Sequence, residues 1–215
     1  MISYPNFEQK SEEWFNMKWG KIGGTLSKGL FVKSDTLLID ILSQRCETYV
    51  HTEEGFQSDA MRRGNDLEPL ARAYLADYLG VEFIESGWLQ SEDNELIGMS
   101  PDGITSDYTE QCEIKCLGTK KHYEILITDE IPLEHIHQCL HAFTVNPTLK
   151  KLHFLAYRPE APKPFIKTLT LDSEINLGTK AKPKIMTIAD ASVTAMQLAD
   201  ELLEKIIETE ASIQF

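Results

Sequence analysis

The spacing of the apolar residues changes at Gly80, and this change sets the fold class. Before Gly80 the apolar residues recur at helical spacing, which predicts three helices. After it, short apolar segments separated by polar turns are typical of consecutive strands. The whole order predicts a mixed β-sheet flanked by helices, in one α/β or α+β domain over residues 1–215. The predicted helices are 11–18, 35–49, 58–79, 132–145 and 187–213, and the predicted strands are 81–84, 87–91, 96–99, 112–116, 151–157 and 165–171.

Residues with strong end preferences mark the limits of the predicted helices. Ser11 fits the N-cap of the first helix, Gly80 the end of the third, and Pro132 the first position of the fourth. Pro69 lies inside the third helix, where a proline removes a backbone hydrogen bond and clashes with the preceding turn. We therefore expect a kink or a break near Asn65–Asp66.

Length, hydropathy and charge restrict the class of protein. A chain of 215 residues can bury one sizeable core but is too short for two ordinary domains and a linker. It has no apolar run long enough to span a membrane and no secretory signal at its start, so we expect a cytoplasmic protein without membrane contact. The formal net charge of −13 argues against non-specific coating of DNA, although a basic groove can hold DNA inside an acidic shell.

The four cysteines are predicted to be reduced, buried, small apolar residues. Cys112 and Cys116 are the closest pair, but residues four apart on a strand lie about 13 Å apart, too far for a disulfide. Neither this pair nor Cys46 and Cys139 has the C-x-x-C spacing of a zinc or iron–sulfur site.

Two acidic residues and a lysine have the chemistry of a phosphodiester-hydrolysing site. Asp102 lies in a Ser-Pro-Asp-Gly turn and Glu113 follows eleven positions later in Glu-Ile-Lys, so a hairpin brings both carboxylates to one end of the sheet. Mg²⁺ needs only one or two carboxylates because it keeps several waters, and Mn²⁺ accepts the same ligands. Because side chains alternate along a strand, Glu113 and Lys115 point the same way, and the carbonyl of Ile114 is a further candidate ligand. The pattern predicts that Lys115 activates the attacking water or stabilises charge on the phosphate.

Each half of this pattern also has an ordinary explanation. Pro-Asp-Gly is a common turn, and a strand with two exposed charged residues is equally common. The argument for a metal site rests on both halves occurring in this order, at this spacing and next to a predicted strand.

The third predicted helix supplies further candidates. Glu68 and Arg72 are four residues apart and share one face of the helix. They form either a solvated ion pair or a site in which Glu68 points toward the metal, with Arg62 or Arg63 contacting phosphate.

The fourth predicted helix carries Gln138 on the same face as Glu134 and His141. Gln138 is either a contact to the active site or the DNA backbone, or an exposed polar residue. The histidines of this helix do not favour zinc, because His135 and His137 are two apart and face different ways.

These elements together resemble the phage lambda exonuclease / YqaJ-like viral recombinase family of the PD-(D/E)XK nuclease superfamily. The resemblance extends over residues 12–157, which is most of the chain. The matching motifs are an acidic residue before Trp, a basic residue with a Gly-x-Ile turn, Gly-x-x-x-Glu, Ser-Pro-Asp-Gly, Glu-x-Lys-Cys and a helical Gln. In this chain they are Glu13-Trp14, Lys18 to Ile22, Gly64 to Glu68, Ser100 to Gly103, Glu113 to Cys116, and Gln138.

The resemblance implies a restriction-endonuclease-like core and gives a role to most of these residues. Asp102, Glu113 and Glu68 would be the catalytic carboxylates that hold the metal, with Lys115 as the catalytic lysine. Lys18 stands where the family has an arginine that contacts the 5′ phosphate, so the charge is kept but the bidentate fork is lost. The predicted DNA-contacting residues are Lys18, Thr25, Arg62, Arg63, Lys120, Lys121 and Gln138.

Two further departures from the family pattern concern the recognition of the DNA end. The turn after Ile22 reads Gly-Gly-Thr in place of Thr-Ala-Ser, so Thr25 alone supplies a similar hydroxyl. Leu140 replaces the second glutamine of the family's Gln-x-Gln helix.

By the same resemblance, the expected activity is Mg²⁺-dependent, 5′ to 3′ degradation of one strand of linear double-stranded DNA with a free end. The product would be a 3′ overhang for a single-strand annealing protein, in a phage or bacterial setting. The family includes ring-shaped trimers, which would place basic residues around a channel and acidic residues outside. Three other functions stay open: a structure-specific or restriction-type endonuclease, a catalytically inert DNA-binding module, and an α/β domain of another role.

Overall fold

A four-stranded mixed sheet is the largest sheet of the molecule, which is seen in a computed structural model describing residues 1–32, 35–50, 58–179 and 181–213. Its strands lie in the order β4-β5-β6-β7, and a three-stranded sheet β1-β2-β3 and a β8-β9 hairpin accompany it. The strands are β1 (Ile2–Tyr4), β2 (Trp88–Gln90), β3 (Gly98–Met99), β4 (Gly103–Ile104), β5 (Glu110–Lys115), β6 (Lys151–Ala156), β7 (Phe165–Leu169), β8 (Glu174–Asn176) and β9 (Ile185–Thr187).

Within the described ranges, six α-helices and one short 3₁₀ helix pack around these strands. The α-helices are α1 (Glu12–Lys18), α2 (Thr36–Cys46), α3 (Asp59–Leu79), α4 (Thr119–Thr128), α5 (Leu133–Val145) and α6 (Ile188–Ile213), and the 3₁₀ helix is Ser27–Phe31. The predicted mixed α/β fold is therefore confirmed. None of these helices is both long and apolar enough to cross a membrane.

The parallel pairing of β5 with β6 fixes where a ligand can approach. Parallel neighbours cannot be joined by a tight turn, and α4 and α5 form the crossover between them. The carboxyl ends of β5 and β6 therefore lie at the same edge of the sheet, the edge at which open α/β sheets usually bind ligands.

Alternation along β5 divides its side chains between two hydrophobic layers. Cys112 and Ile114 pack with Leu155 of β6 and with Ala71 and Leu75 of α3. The register pairs Glu113 with Phe154, whose side chain belongs to the larger cluster that also contains residues of α5 and α6. Glu113 and Lys115 therefore face the α5 side of the sheet and Ile114 faces α3.

Several predicted helix ends are confirmed by hydrogen bonds. The Ser11 hydroxyl accepts from the backbone of Trp14 at the start of α1, and Ser58 caps α3 in the same way. α3 ends at Gly80, which adopts a left-handed conformation. Ser34, expected just before α2, lies outside the described residues.

Other expectations are wrong. The break expected near residues 65–66, as one of two alternatives with a kink, is absent: α3 continues through Pro69, which lies on its exposed side, where water can satisfy the carbonyl that loses its partner. In the predicted strand 81–84 only Ile84 pairs, through an isolated bridge to Ile104. Cys46 is exposed rather than buried, while Cys112 and Cys139 are buried and Cys116 is partly so.

The helix α4 and the short strands β1, β4, β8 and β9 are absent from the predicted elements. α4 contains isoleucine and threonine, which have low helix propensity, and it is held by burial of His122 and Ile125. The four strands are two or three residues long, too short for an alternating pattern to be recognised.

Candidate active site

The β4–β5 hairpin brings Asp102 and Glu113 together. β4 pairs Gly103 with Cys112 and Ile104 with Gln111, so the same register continued by one residue sets Asp102 opposite Glu113. Directly opposed residues of an antiparallel pair have neighbouring side chains. Gly103 also has to be a glycine, since a Cβ there would lie 2.8 Å from the Cys112 sulfur. The two carboxylates are thus neighbours because of strand register and a close backbone approach.

Where the β4–β5 ladder ends, the Asp102 carboxylate replaces the backbone as the hydrogen-bond acceptor. Its Oδ2 accepts a hydrogen bond from the backbone N–H of Ile114 at 2.6 Å. In a strand the N–H and C=O of one residue point to the same side, so the Ile114 carbonyl faces the same edge as the Asp102 carboxylate. The carbonyl therefore lies on the side of the strand from which a metal held by Asp102 would approach.

Glu113 and Lys115 form a tight ion pair on the α5 face of β5. The Lys115 Nζ lies 2.5 Å from Glu113 Oε1, and the two side chains are 22% and 9% exposed. Two residues apart on one strand, they share a face as expected. The ammonium is therefore held beside the carboxylates and still reaches solvent.

Arg72 connects α3 to this cluster. Its guanidinium donates to the backbone carbonyl of Asp102, contacts Glu68 at 3.1 Å and pairs with Glu85. Glu68 lies four residues before Arg72 on the same helix face, and its negative charge contributes to raising the pKa of Asp102. Arg72 was assigned no role of its own from the sequence, although its helical spacing from Glu68 was visible.

The cluster holds more negative than positive charge. Burial, then the charges of Glu113 and Glu68, raise the pKa of Asp102 to about 7, although Lys115 and the Ile114 N–H oppose the shift. For Lys115, burial disfavours the ammonium, but the charges of Glu113 and Asp102 outweigh it and raise the pKa. With Arg72 and Glu85 included, four carboxylates face two cationic side chains, and the excess of negative charge is one that a bound cation would relieve.

The donor set fits a hard divalent cation with an incomplete protein shell. No three histidine, cysteine, aspartate or glutamate side chains of the described residues are arranged as a metal cage. Mg²⁺ and Mn²⁺ do not need one, because carboxylate oxygens, a carbonyl and waters complete their coordination. Asp102, Glu113 and the Ile114 carbonyl are the residues that would hold such an ion, with Glu68 as a nearby acidic partner.

Helix α1 contacts the Ser-Pro-Asp-Gly turn through hydrogen bonds of Trp14. The Trp14 Nε1–H donates to Ser100 Oγ at 2.6 Å and to the Gly87 carbonyl at 3.1 Å. Lys18 lies over the Trp14 ring, with its Nζ 3.9 Å from the ring centroid, and burial lowers the pKa of Lys18. The predicted end-recognition lysine is therefore tied to the turn that carries Asp102.

Gln138 lies beside the turn that contains Thr25. A Cβ on Gly24 would be 3.8 Å from the Gln138 side-chain amide nitrogen, and Thr25 is exposed next to it. His135 Nδ1 lies 3.2 Å from Gln138 Oε1; because an amide oxygen only accepts, Nδ1 carries the proton. This hydrogen bond leaves the amide nitrogen of Gln138 available to donate.

His135 is a site residue that the sequence arguments considered only as a zinc ligand. Burial, then the charge of Lys115, lower the pKa of His135, and Glu113 acts on it as well. Its Nε2 is buried and has no hydrogen-bond partner among the described residues. The three-residue spacing between His135 and Gln138 on one helix was the signal that could have identified the pair.

The remaining predicted DNA contacts are largely neutralised by acidic neighbours. Arg62 pairs with Asp59, while Lys121 pairs with Glu134 at 2.8 Å. Lys120 is exposed on α4, beside Lys121. Arg63 pairs with Glu160, in the segment after β6. The structure thus brings Asp102, Glu113, Lys115 and Glu68 together, whereas Arg62 and Lys121 make ion pairs of their own outside this cluster.

The chain belongs to the YqaJ-like viral recombinase family, whose domain model matches residues 13–148. Its fold is that of two solved structures of LHK-Exo. An alkaline exonuclease (LHK-Exo) from Laribacter hongkongensis matches with a TM-score of 0.70, and LHK-Exo in complex with dAMP matches with 0.72. Each is 24% identical and the alignment covers 94% of this chain and 97% of the other. No curated protein matches the chain.

Replacing Asp102 by Asn should stabilise the metal-free protein at alkaline pH. An unfolded aspartate has a pKa of about 3.9, whereas the folded pKa is raised to about 7. The folded state therefore loses stability as pH rises from the unfolded to the folded pKa, and Asn cannot ionise. In EDTA we expect Asp102→Asn to raise the free energy of unfolding by on the order of 1–3 kcal/mol at pH 8, and by less at pH 5. Urea unfolding at the two pH values measures this.

Asp107→Asn, in the same hairpin, is the matched control. Hydrogen bonds from Thr105 and Thr109 lower the pKa of Asp107, so its charged form is favoured in the fold and the same substitution should not stabilise the protein. An Asp102→Asn protein that is no more stable than wild type at pH 8 would contradict the assigned charge imbalance.

Proposed function

We propose that the protein is a divalent-metal-dependent exonuclease that degrades one strand of linear duplex DNA from 5′ to 3′ and leaves a 3′ overhang. The observation that carries the proposal is the Asp102–Glu113–Lys115 cluster at the carboxyl end of β5, in a chain of the YqaJ-like viral recombinase family. The fold match to an alkaline exonuclease, and to LHK-Exo in complex with the deoxynucleotide dAMP, supports a nucleotide-releasing reaction.

The metal, held by Asp102, Glu113 and the Ile114 carbonyl, would polarise the scissile phosphate and favour deprotonation of the attacking water. Water attacks phosphorus, the bond from phosphorus to the 3′ oxygen breaks, and that oxygen takes up a proton. The attacked phosphate stays on the 5′ oxygen of the shortened strand, and the released nucleotide leaves with a 3′ hydroxyl and its own 5′ phosphate. The hydrogen bond to Ile114 fixes the Asp102 carboxylate before substrate arrives, so little reorganisation is needed.

Lys115 supplies positive charge where the phosphate gains negative charge. The pKa of Lys115 is raised, so the side chain stays an ammonium and donates hydrogen bonds rather than accepting a proton. Paired with Glu113 at 2.5 Å, it is positioned without having to adopt a new rotamer. Gln138, oriented by His135, and Lys18, held over Trp14, are assigned to the DNA strand and its 5′ end.

The test of this function is digestion of end-labelled linear duplex and closed circular duplex, each with Mg²⁺ and with EDTA. We expect Lys115→Ala to reduce strand degradation about 100-fold or more, while duplex binding remains. Lys205→Ala, which removes an exposed lysine on α6, controls for the loss of one charge. Cleavage of the circle would favour the endonuclease alternative, and cleavage in EDTA would contradict the metal mechanism.

His135 and Gln138 should act as one unit in this reaction. His135→Phe keeps the stacking on Phe154, whose ring centroid is 5.9 Å away, but removes the Nδ1–H that orients Gln138. We expect His135→Phe and Gln138→Leu each to lower kcat about 10-fold, and the double variant to be little worse than either. Fully additive losses in this double-mutant cycle would separate the two roles.

A ring-shaped trimer is the assembly we propose for this activity. A ring would reconcile a net charge of −13 with DNA binding, since acidic residues would lie on the outer surface. The channel would be lined by the basic residues Lys18, Lys120, Lys121, Arg62 and Arg63. A trimeric mass by sedimentation, with DNA affinity falling steeply as salt rises, is the expected result; a monomer that binds DNA independently of salt would exclude it. A single-strand annealing protein is the proposed recipient of the overhang.

A further inference from the structure

Two arginines from different elements converge on one exposed carboxylate beyond the carboxyl ends of β5 and β6. Arg63, in the first turns of α3, places its Nη2 2.9 Å from Oε1 and 2.7 Å from Oε2 of Glu160. The Nε of Arg158, in the segment after β6, lies 3.6 Å from the same Oε2. Elements far apart in the sequence thus form a small cationic site, which is occupied by the side chain of Glu160.

This site adjoins the catalytic strand. The N–H of Tyr157 donates to the Lys115 carbonyl at 2.9 Å, so Arg158 lies one residue beyond the level of the lysine. An Arg158 Nη1–H donates to the carbonyl of Leu117, two residues after Lys115. The guanidinium of Arg158 is therefore fixed at the edge of the sheet where the DNA strand would enter the metal site.

The two guanidinium groups that meet at Glu160 are also of the kind that binds phosphate. Guanidinium groups bind carboxylates and phosphates through the same paired contacts, because both anions present two oxygens to the fork. The Nε of Arg63 is buried and without a hydrogen-bond partner in the described part of the chain, so Glu160 does not use every donor of this guanidinium. Arg158 is only 17% exposed and thus held in place, whereas Glu160 is 52% exposed and easily displaced.

We propose that Arg63 and Arg158 form a clamp for a backbone phosphate of the DNA strand next to the cleaved position, and that Glu160 occupies the clamp until a DNA phosphodiester displaces it. This inference rests on the proposed DNA-degrading function and adds Arg158 and Glu160 to its binding site. Exchange is inexpensive, because an exposed ion pair is only weakly stabilising, whereas a DNA phosphate brings the attraction of the whole duplex.

The experiment is binding of a linear, 5′-phosphorylated duplex in EDTA, followed over a range of salt concentrations. Arg158→Gln should weaken binding about 5- to 30-fold at low salt and reduce the slope of log affinity against log salt by about one. Arg158→Lys, which keeps the charge without the fork, should recover part of the loss. Melting temperatures confirm that each variant is folded.

Glu160→Gln should act in the opposite direction and tighten binding about 3- to 10-fold, since it frees both arginines. Glu204→Gln, which removes an exposed charge from α6, is the matched control and should not change binding beyond the small effect of one net charge. Binding that is unchanged or weaker in Glu160→Gln relative to Glu204→Gln would overturn the inference, as would unchanged affinity and salt slope in Arg158→Gln.

The two proposals fail in different ways. If the wild-type protein cuts linear duplex with Mg²⁺, but DNA affinity does not change in Arg158→Gln and Glu160→Gln, the clamp alone is contradicted. A protein whose affinity follows these residues but which never cuts DNA contradicts the proposed function alone.

Discussion

The hydrogen bond from the Ile114 N–H to the Asp102 carboxylate is the interaction on which the candidate site depends. It replaces the next rung of the β4–β5 ladder, so the chain leaves the sheet at the point where the carboxylate is needed. The same bond fixes Asp102 beside Glu113 and orients the Ile114 carbonyl toward the same edge. Burial of this arrangement raises the pKa of Asp102 to about 7, so the fold holds an acid that is unfavourable without a cation.

Under the proposed function, ion pairing would explain how an acidic chain presents basic residues to DNA. The arginines and lysines around the site are held by nearby carboxylates: Lys115 by Glu113, Lys121 by Glu134, and both Arg63 and Arg158 by Glu160. Each pair keeps a cation in position and neutralises its charge, so that a weak or isolated anion is attracted only slightly. A polyphosphate such as DNA can exchange several of these partners at once, which a small anion cannot do.

The juxtaposition of Asp102, Glu113 and Lys115 was predictable from sequence because these residues are close in the chain. Asp102, Glu113 and Lys115 lie on one hairpin, so turn chemistry and strand alternation were enough to place them. The contacts of Arg158 and Glu160 were not predictable, since they depend on which loop meets which helix in space, whereas the spacing of His135 and Gln138 on one helix was visible but was not used. The continuity of α3 through Pro69 and the existence of α4 likewise follow from packing and solvent exposure, to which a local propensity rule is blind.

The contact between Trp14 and Ser100 gives a physical reason for two motifs that are far apart in the chain. Trp14 Nε1 donates to the Oγ of Ser100, which lies two residues before Asp102 in the chain, and Ser100 in turn donates to the Gly87 carbonyl. Lys18 stacks on the other side of this link, over the Trp14 ring. A 5′ end held by Lys18 and a metal held by Asp102 would thus share one rigid support. Their separation would then be set by the tryptophan ring rather than by flexible loops, which is what removal of one nucleotide at a time from an end requires.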